Sequence, residues 1–240
     1  MSLEITRTLH DLKLPGMARY WDAMAETHQL DKLSFRDGMT MMVQSEIDMR
    51  NENRISKLVK NARFRQKAYI EQLEMDTTRG IPSSLVTDLS TGDYIKNGRT
   101  VIITGPAGTG KSYLASALGD RACRQGFKVM YFTMNNLVEQ LRLVHLEGRQ
   151  THFLRKLANQ DLLIIDDFGM QKLQGEIQND VEQIVDDRYK EKSLILASQL
   201  PVSDWYRVFQ SELIADAFMD RVSHTELRFT LQGDSLRKKY

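Results

Sequence analysis

Residues Gly105-Pro106-Ala107-Gly108-Thr109-Gly110-Lys111-Ser112 constrain this chain more than any other stretch. They fit the pattern G-x-x-x-x-G-K-[ST], a loop that wraps the phosphates of a nucleoside triphosphate. The glycines permit backbone angles that turn successive amide N–H groups inward around phosphate oxygens. Lys111 brings a mobile positive charge to the β- and γ-phosphates, and the Ser112 hydroxyl is a small, hard oxygen ligand for Mg²⁺. A helix starting near Lys111 points its positive end at the same anion. Tyr113, the next residue, joins the candidate nucleotide contacts. The flanks agree with this reading. Thr100–Thr104 is a β-branched apolar run, the strand such a loop follows, and Tyr113–Arg124 carries Leu114, Ala117, Leu118 and Ala122 on one helical face. An ordinary glycine turn is the bland alternative, and this context argues against it.

The 240 residues allow one large or two modest domains with a sizeable core. Formal charge is +1, so the molecule as a whole exerts no field that would select nucleic acid; any basic surface is local. Cys123 is the single cysteine, so no intramolecular disulfide forms, which suits a reducing cytoplasm. Its place on the core side of a helix reads as a plain buried thiol. No apolar run reaches the ~18 residues a membrane helix needs. Glu4, Arg7, His10 and Asp11 interrupt any secretory leader.

Residues 1–76 show no strand-like alternation and read as a small helical domain. Pro15-Gly16 should turn the chain, Met17–Leu30 carries Tyr20, Trp21 and Met24 at helical spacing, and Ser34 with Asp37 resembles a capping box. A helix from Phe35 is expected to run to about Glu74, broken at most once. Between Arg50 and Lys67, seven basic residues (Arg50, Arg54, Lys57, Lys60, Arg63, Arg65 and Lys67) meet a single acid, Glu52. All but Arg65 step by three or four, placing them on one stripe of that helix, with Ile55, Leu58, Val59 and Ala62 largely opposite. Such a stripe can lie along a phosphate backbone. On charge alone a solvated face is the favoured reading, and attachment to an ATPase of the kind that the motifs of this chain resemble reverses it toward DNA. Residues 77–98 read as a linker and pre-strand segment, with a hinge at Asp76–Pro82 and a helix over Ser84–Ile95. Residues 99–240 form the nucleotide-binding domain.

In that domain Lys128–Thr133 is the second strand, followed by helices over Asn135–Leu146 and Thr151–Asn159. Leu162-Leu163-Ile164-Ile165 reads as a strand buried on both faces, with Asp166 and Asp167 at its carboxyl end, where open α/β sheets bind ligands. Asp166 is the candidate Mg²⁺ carboxylate, and Asp167 the group that orients or deprotonates the attacking water. After a helix over Glu176–Glu191, Leu194–Gln199 is the fourth strand. Gln199 at its tip is the candidate amide to hold that water, with Ser198 next. Trp205 and Phe209 read as packing residues. Ile214–Val222 is a helix, Glu226–Leu231 a fifth strand, and a short helix is expected from Gly233. Strand, loop and helix repeated five times give an α/β fold with a parallel sheet and right-handed crossovers.

Together, Gly-Pro-Ala-Gly-Thr-Gly-Lys-Ser, Leu-Leu-Ile-Ile-Asp-Asp-Phe-Gly, Ala-Ser-Gln-Leu-Pro-Val-Ser-Asp-Trp-Tyr, Ala-Phe-Met-Asp-Arg-Val and Gly-Asp-Ser-Leu-Arg-Lys resemble the IstB-like AAA+ ATPases. These are helper proteins of bacterial insertion sequences, related to the DnaC helicase loaders. The resemblance covers most of the chain, including Asn61-Ala62-Arg63-Phe64-Arg65. It implies a five-stranded sheet of order 5-1-4-3-2, ATP and Mg²⁺ as cofactors, and ATP hydrolysis. It also implies homo-oligomers that assemble on duplex DNA, deform it and present it to the transposase of the same element. By motif, Arg221 resembles the arginine finger that reaches a neighbouring subunit's nucleotide, and Arg237 the second sensor arginine acting in cis. Asp167 replaces the glutamate usual in AAA+ ATPases, and Gln199 the commoner asparagine. A replicative helicase loader is the competing function. A small-molecule kinase is a third, disfavoured because no lid or acceptor motif is evident.

Overall fold

The computed structural model describes residues 2–27, 33–223 and 226–236, with no side-chain account of residues 2 and 3. Leu30, the expected end of the second helix, lies outside the described residues, as do Arg237 and most of the helix expected after Gly233. The chain divides into two compact units, Met1–Lys57 and Leu58–Tyr240. The division falls within a helix, earlier than the boundary expected at residue 76.

The first unit is helical. Helix α1 (Ser2–Asp11) and α2 (Pro15–Glu26) precede α3 (Phe35–Ala62), which continues past the unit's end. Lys13, at φ 60°, makes the turn before Pro15, and Pro15 starts α2, where its missing N–H costs nothing. Ser34 caps α3 as expected, its hydroxyl accepting from the Asp37 N–H, but the Asp37 carboxylate accepts from that hydroxyl rather than from the Ser34 backbone. Glu46 on α3 is buried and caps α2, its Oε2 accepting from the Gly16 and Met17 amides at 2.7 and 3.2 Å. Burial works against that charge, but bonds from Arg50 and these amides hold the carboxyl below its usual range.

Helix α3 stops at Ala62 rather than near Glu74. Arg63 adopts φ 58°, a left-handed turn that L residues enter only against a steric cost. Packing compensates. Phe64 lies against Gly119 so closely that a Cβ there would come within 2.5 Å of its ring, and Ala68 and Ile70 are buried beyond it. Arg63 and Lys67 therefore leave the helical stripe, and the expectation of one continuous basic stripe to Lys67 is corrected.

The expected hinge at Asp76–Pro82 is also a fixed part of the larger unit. Asp76 caps a tight turn over Thr77–Arg79 by accepting from the Thr78 N–H at 2.8 Å. The Arg79 carbonyl accepts from the Gln232 N–H at 3.0 Å. The helix expected over Ser84–Ile95 is two pieces, α4 (Ser83–Ser90) and α5 (Asp93–Lys96), separated by a left-handed Gly92.

Five parallel strands follow: β1 (Thr100–Thr104), β2 (Val129–Thr133), β3 (Leu162–Phe168), β4 (Ser193–Ser198) and β5 (Glu226–Thr230). Their order is β2-β3-β4-β1-β5, the inferred 5-1-4-3-2 read from the other edge. Helix α6 (Lys111–Arg124) follows β1. Helices α7 (Met134–Leu146) and α8 (Gln150–Ala158) lie between β2 and β3. Helix α9 (Glu176–Asp186) precedes β4, and α10 (Glu212–Ser223) precedes β5. Alternate strand residues feed two cores. Ile102, Leu163, Ile165, Leu194 and Leu196 pack with residues of α7 to α10. Val101, Ile103, Leu162, Ile164, Ile195 and Ala197 pack with α4 and α6. Both faces being covered explains why the strands read as unbroken apolar runs.

Helix α9 ends five residues short of the expected Glu191 because Arg188 turns inward, buried, and donates to the carbonyls of Leu157, Gln160 and Ser193. Cys123 is buried as read, and burial, followed by nearby Asp120, pushes its thiol up to about 12. Trp205 and Phe209 pack as expected, beside Phe168 and Phe218. Among the described residues no helix is long and apolar enough to cross a membrane.

Candidate nucleotide-binding site

The loop after β1 is built for close approach. Gly108 has φ 80°, and a Cβ there would lie 2.1 Å from the Ser235 Oγ. The segment after β5 crosses this loop: the Leu231 N–H donates to the Thr104 carbonyl at 2.7 Å, and the Leu236 N–H to the Gly108 carbonyl at 2.9 Å. Thr109 is buried and donates through its hydroxyl to the Pro106 carbonyl. Gly110 is the left-handed N-cap of α6, so Lys111 and Ser112 open that helix as expected. The Lys111 ammonium donates to the Gly105 and Pro106 carbonyls, each at 2.7 Å. Ser112 and Tyr113 are partly exposed, and the Tyr113 hydroxyl lies 3.4 Å from Gln72 Oε1 and 3.5 Å from the Tyr69 amide.

Asp166 and Asp167 stand at the end of β3. Residues Ile165 and Phe168 pair with Leu196 and Ser198, so the two acids face one residue of β4 in a bulge. A bulge changes the aim of the side chains it carries. Asp167 adopts φ 55°, sparsely populated for any residue but glycine although tolerated by aspartate. Asp166 is fully buried, and each oxygen has a donor: the Tyr131 hydroxyl reaches Oδ2 at 2.6 Å and the Asp167 N–H reaches Oδ1 at 2.9 Å. Burial, followed by the adjacent Asp166 charge, pushes the Tyr131 phenol above its ordinary value, so it stays a donor. Asp167 is partly exposed and pairs with Arg65 at 3.2 Å. A cleft of about 560 Å³ opens beside these acids. Arg63, Arg65, Tyr131, Asn135, Asn136 and Asp167 are among its lining residues.

β4 separates β1 from β3, so the strands that carry the phosphate loop and the acids are roughly 10 Å apart, two strand spacings. A triphosphate tail with its hydrated metal spans such a gap. The donor set fits Mg²⁺: one hydroxyl, Ser112, and one oriented carboxylate, Asp166, leave room for phosphate oxygens and water. Among the described residues no cluster of three His, Cys, Asp or Glu offers a denser cage.

Gln199 lies one residue past β4, partly buried, on the same edge. Ser198, its runner-up, is committed to the backbone: its hydroxyl donates to the Phe168 carbonyl and accepts from the Leu200 N–H. Arg221, on α10, is held by Asp186 at 2.5 Å, Glu182 at 3.2 Å and the Ala217 carbonyl. Of the basic residues, Arg50, Arg54 and Lys57 are exposed on α3 in the first unit, Arg50 pairing with Glu46. In the second, Lys60 is exposed on α3, Arg63 and Arg65 line the cleft, and Lys67 is exposed beyond it. Tyr131, the Asp167 partner role of Arg65, and the approach of Ser235 to Gly108 carry no sequence signal. They are found only through strand register and chain crossing.

A parallel 5-1-4-3-2 sheet with a phosphate loop after β1 and paired acids after β3 defines an AAA+ ATP-binding fold. The chain matches the family model described as "IstB-like ATP binding protein" over residues 7–240, and it belongs to that family. It is 34% identical over 230 residues to y4pL of Sinorhizobium fredii, which carries the name insertion sequence ATP-binding protein. That match covers 96% of this chain and 94% of the relative. It is 36% identical to the ATP-binding protein of insertion sequence IS1162 of Pseudomonas fluorescens, over 81% of this chain and 85% of that one. Among solved structures, the DnaC helicase loader matches with a TM-score of 0.54 at 17% identity, over 73% of this chain and 99% of its own. AMPPCP-bound DnaA from Aquifex aeolicus matches at 0.58 and 22%, over 73% of this chain and 53% of that chain. These structural likenesses show the fold.

Proposed function

We propose that this protein is a Mg²⁺-dependent ATPase that assembles into homo-oligomers on duplex DNA in the cytoplasm, deforms that DNA and presents it to the transposase of its insertion sequence. The observation that carries the reading is the phosphate loop facing paired acids across β4, in a chain whose relatives bear insertion-sequence names. In this reading the Gly105–Ser112 amides and Lys111 hold the phosphates. Ser112 and Asp166 hold the metal, which supplies charge neutralisation on the β- and γ-phosphates. Asp167 accepts a proton from the attacking water, and Gln199 positions that water. Arg221 completes a neighbouring subunit's site by exchanging Asp186 and Glu182 for phosphate, and Arg237 contacts phosphate in cis. The helical N-terminal region supplies DNA and oligomer contacts through Arg50, Arg54, Lys57 and Lys60, with Arg63, Arg65 and Lys67 adding charge on the larger unit.

The test is binding to duplex and single-stranded oligonucleotides with ATP. Duplex-dependent assembly supports the helper function. Indifference to duplex with retention of a replicative helicase supports the loader, which the DnaC likeness keeps in view. Arg221→Ala is expected to keep ATP binding and lose turnover in the assembled state; equal turnover removes the finger role. Replacing Arg54, Lys57 and Lys60 by alanine should flatten the salt dependence of DNA binding by a log–log slope of roughly 0.9 per lost phosphate contact.

A further inference from the structure

We propose that Tyr131 is the positioning residue for the metal-side carboxylate of Asp166. The inference rests on the ATP and Mg²⁺ reading above and adds to it a residue that no sequence motif marks. Tyr131 on β2 pairs in register with Ile164 on β3. Side chains alternate along a strand, so the next residue of β3 on that face is Asp166. The phenol spans this diagonal and donates to Oδ2 at 2.6 Å, while the Asp167 N–H donates to Oδ1 at 2.9 Å. One donor per oxygen, from two different strands, stops the carboxylate rotating about its own axis.

Among the described residues the hydroxyl's hydrogen-bond partner is Asp166. Tyr131 is 5% exposed and sits in an otherwise apolar cluster with Leu162 and Ile164. Its ring meets Phe64 edge-on at 6.2 Å, a contact that phenylalanine would keep. What phenylalanine would lose is the bond to Asp166. Groups that orient a metal-side carboxylate typically set metal affinity, with losses of about 10- to 100-fold when they are removed.

The experiment uses the full-length chain with Tyr131→Phe and a fluorescent ATP analogue titrated in EDTA and then against Mg²⁺. Mn²⁺ binding in the presence of nucleotide is followed in parallel by electron paramagnetic resonance. The expected result is unchanged nucleotide affinity in EDTA with a roughly 10-fold rise in half-saturating Mg²⁺ and a matching loss of bound Mn²⁺. In an Asp166→Asn background, Tyr131→Phe should add nothing further, because the carboxylate it served is gone. Metal curves that superimpose on the wild type overturn the inference. So does an equal loss of affinity with and without metal, which marks a packing role, and so does full additivity with Asp166→Asn. A wild-type chain that binds no nucleotide in either condition overturns the ATP-binding reading itself, a result distinguishable from failure of the tyrosine alone.

Discussion

On the β1 side of the sheet's carboxyl edge the proposed binding groups are main-chain amides joined by Lys111, on a loop shaped by glycines and crossed by the Leu231–Leu236 segment. On the β3 side they are side chains drawn from separate segments: Asp166 and Asp167 from β3, Tyr131 from β2, and Arg65 from the stretch after α3. Apart from Lys111 and Ser112, the first arrangement depends on backbone shape, and an added Cβ would come within 2.4 Å of Leu231 at Gly105 and 2.1 Å of Ser235 at Gly108. The second depends on a few functional groups meeting in space and leaves an open cleft beside them. Phosphate is held by a surface of many small dipoles, whereas proton transfer and metal orientation need single groups at defined points.

Substitutions can break this contrast. The largest effect is expected from Lys111→Ala. Loss of a charged hydrogen-bonding partner of phosphate costs roughly 1.5–3 kcal/mol, about 10- to 150-fold in nucleotide affinity by equilibrium titration, and nucleotide-dependent assembly should go with it. Unchanged affinity would remove the loop from the site. Gly108→Ala comes next: a left-handed φ and a 2.1 Å approach to Ser235 predict a loss of about 1–3 kcal/mol in denaturant unfolding, with weaker nucleotide binding. Gly119→Ala is a test of sign. In an ordinary helix interior the change gains about 1 kcal/mol, but here the new Cβ meets Phe64 at 2.5 Å and Ile164 at 2.8 Å. Overpacking therefore predicts a net loss, measured by the unfolding midpoint. The smallest effect belongs to Arg65→Ala. Its ion pair with Asp167 is half exposed, so stability should move by less than about 1 kcal/mol and nucleotide affinity not at all. A marked loss of ATP affinity would place Arg65 in the phosphate pocket and blur the two sides.

Much of the α/β unit was legible because its strands are unbroken aliphatic runs and its loop is a dense local pattern. The acid pair was legible for the same reason: Asp166 and Asp167 directly follow Leu162–Ile165, and polar residues ending a buried strand stand out. The end of α3 was not. Nothing local stops a helix at Ala62, and the turn at Arg63 persists because Phe64, Ala68 and Ile70 gain burial against the larger unit. The same packing takes Arg63 and Lys67 off the basic helical face that their spacing suggested. The Asp76–Pro82 stretch reads as a hinge from its composition, yet Asp76 and Arg79 bind it to the turn and to the segment after β5.

By itself the sequence determined what depends on neighbours along the chain: the phosphate loop, the strand runs, the first turn of α6 and the family to which the chain belongs. The tertiary structure decided which distant groups meet. Strand register brings Tyr131 to Asp166, a bulge sets both acids opposite one residue of β4, and the segment after α3 brings Arg65 to Asp167. Local patterns are written in residue spacing because backbone geometry is periodic over a few residues. A hydrogen bond between residues 131 and 166 has no such period, and it exists only once β2 and β3 have paired.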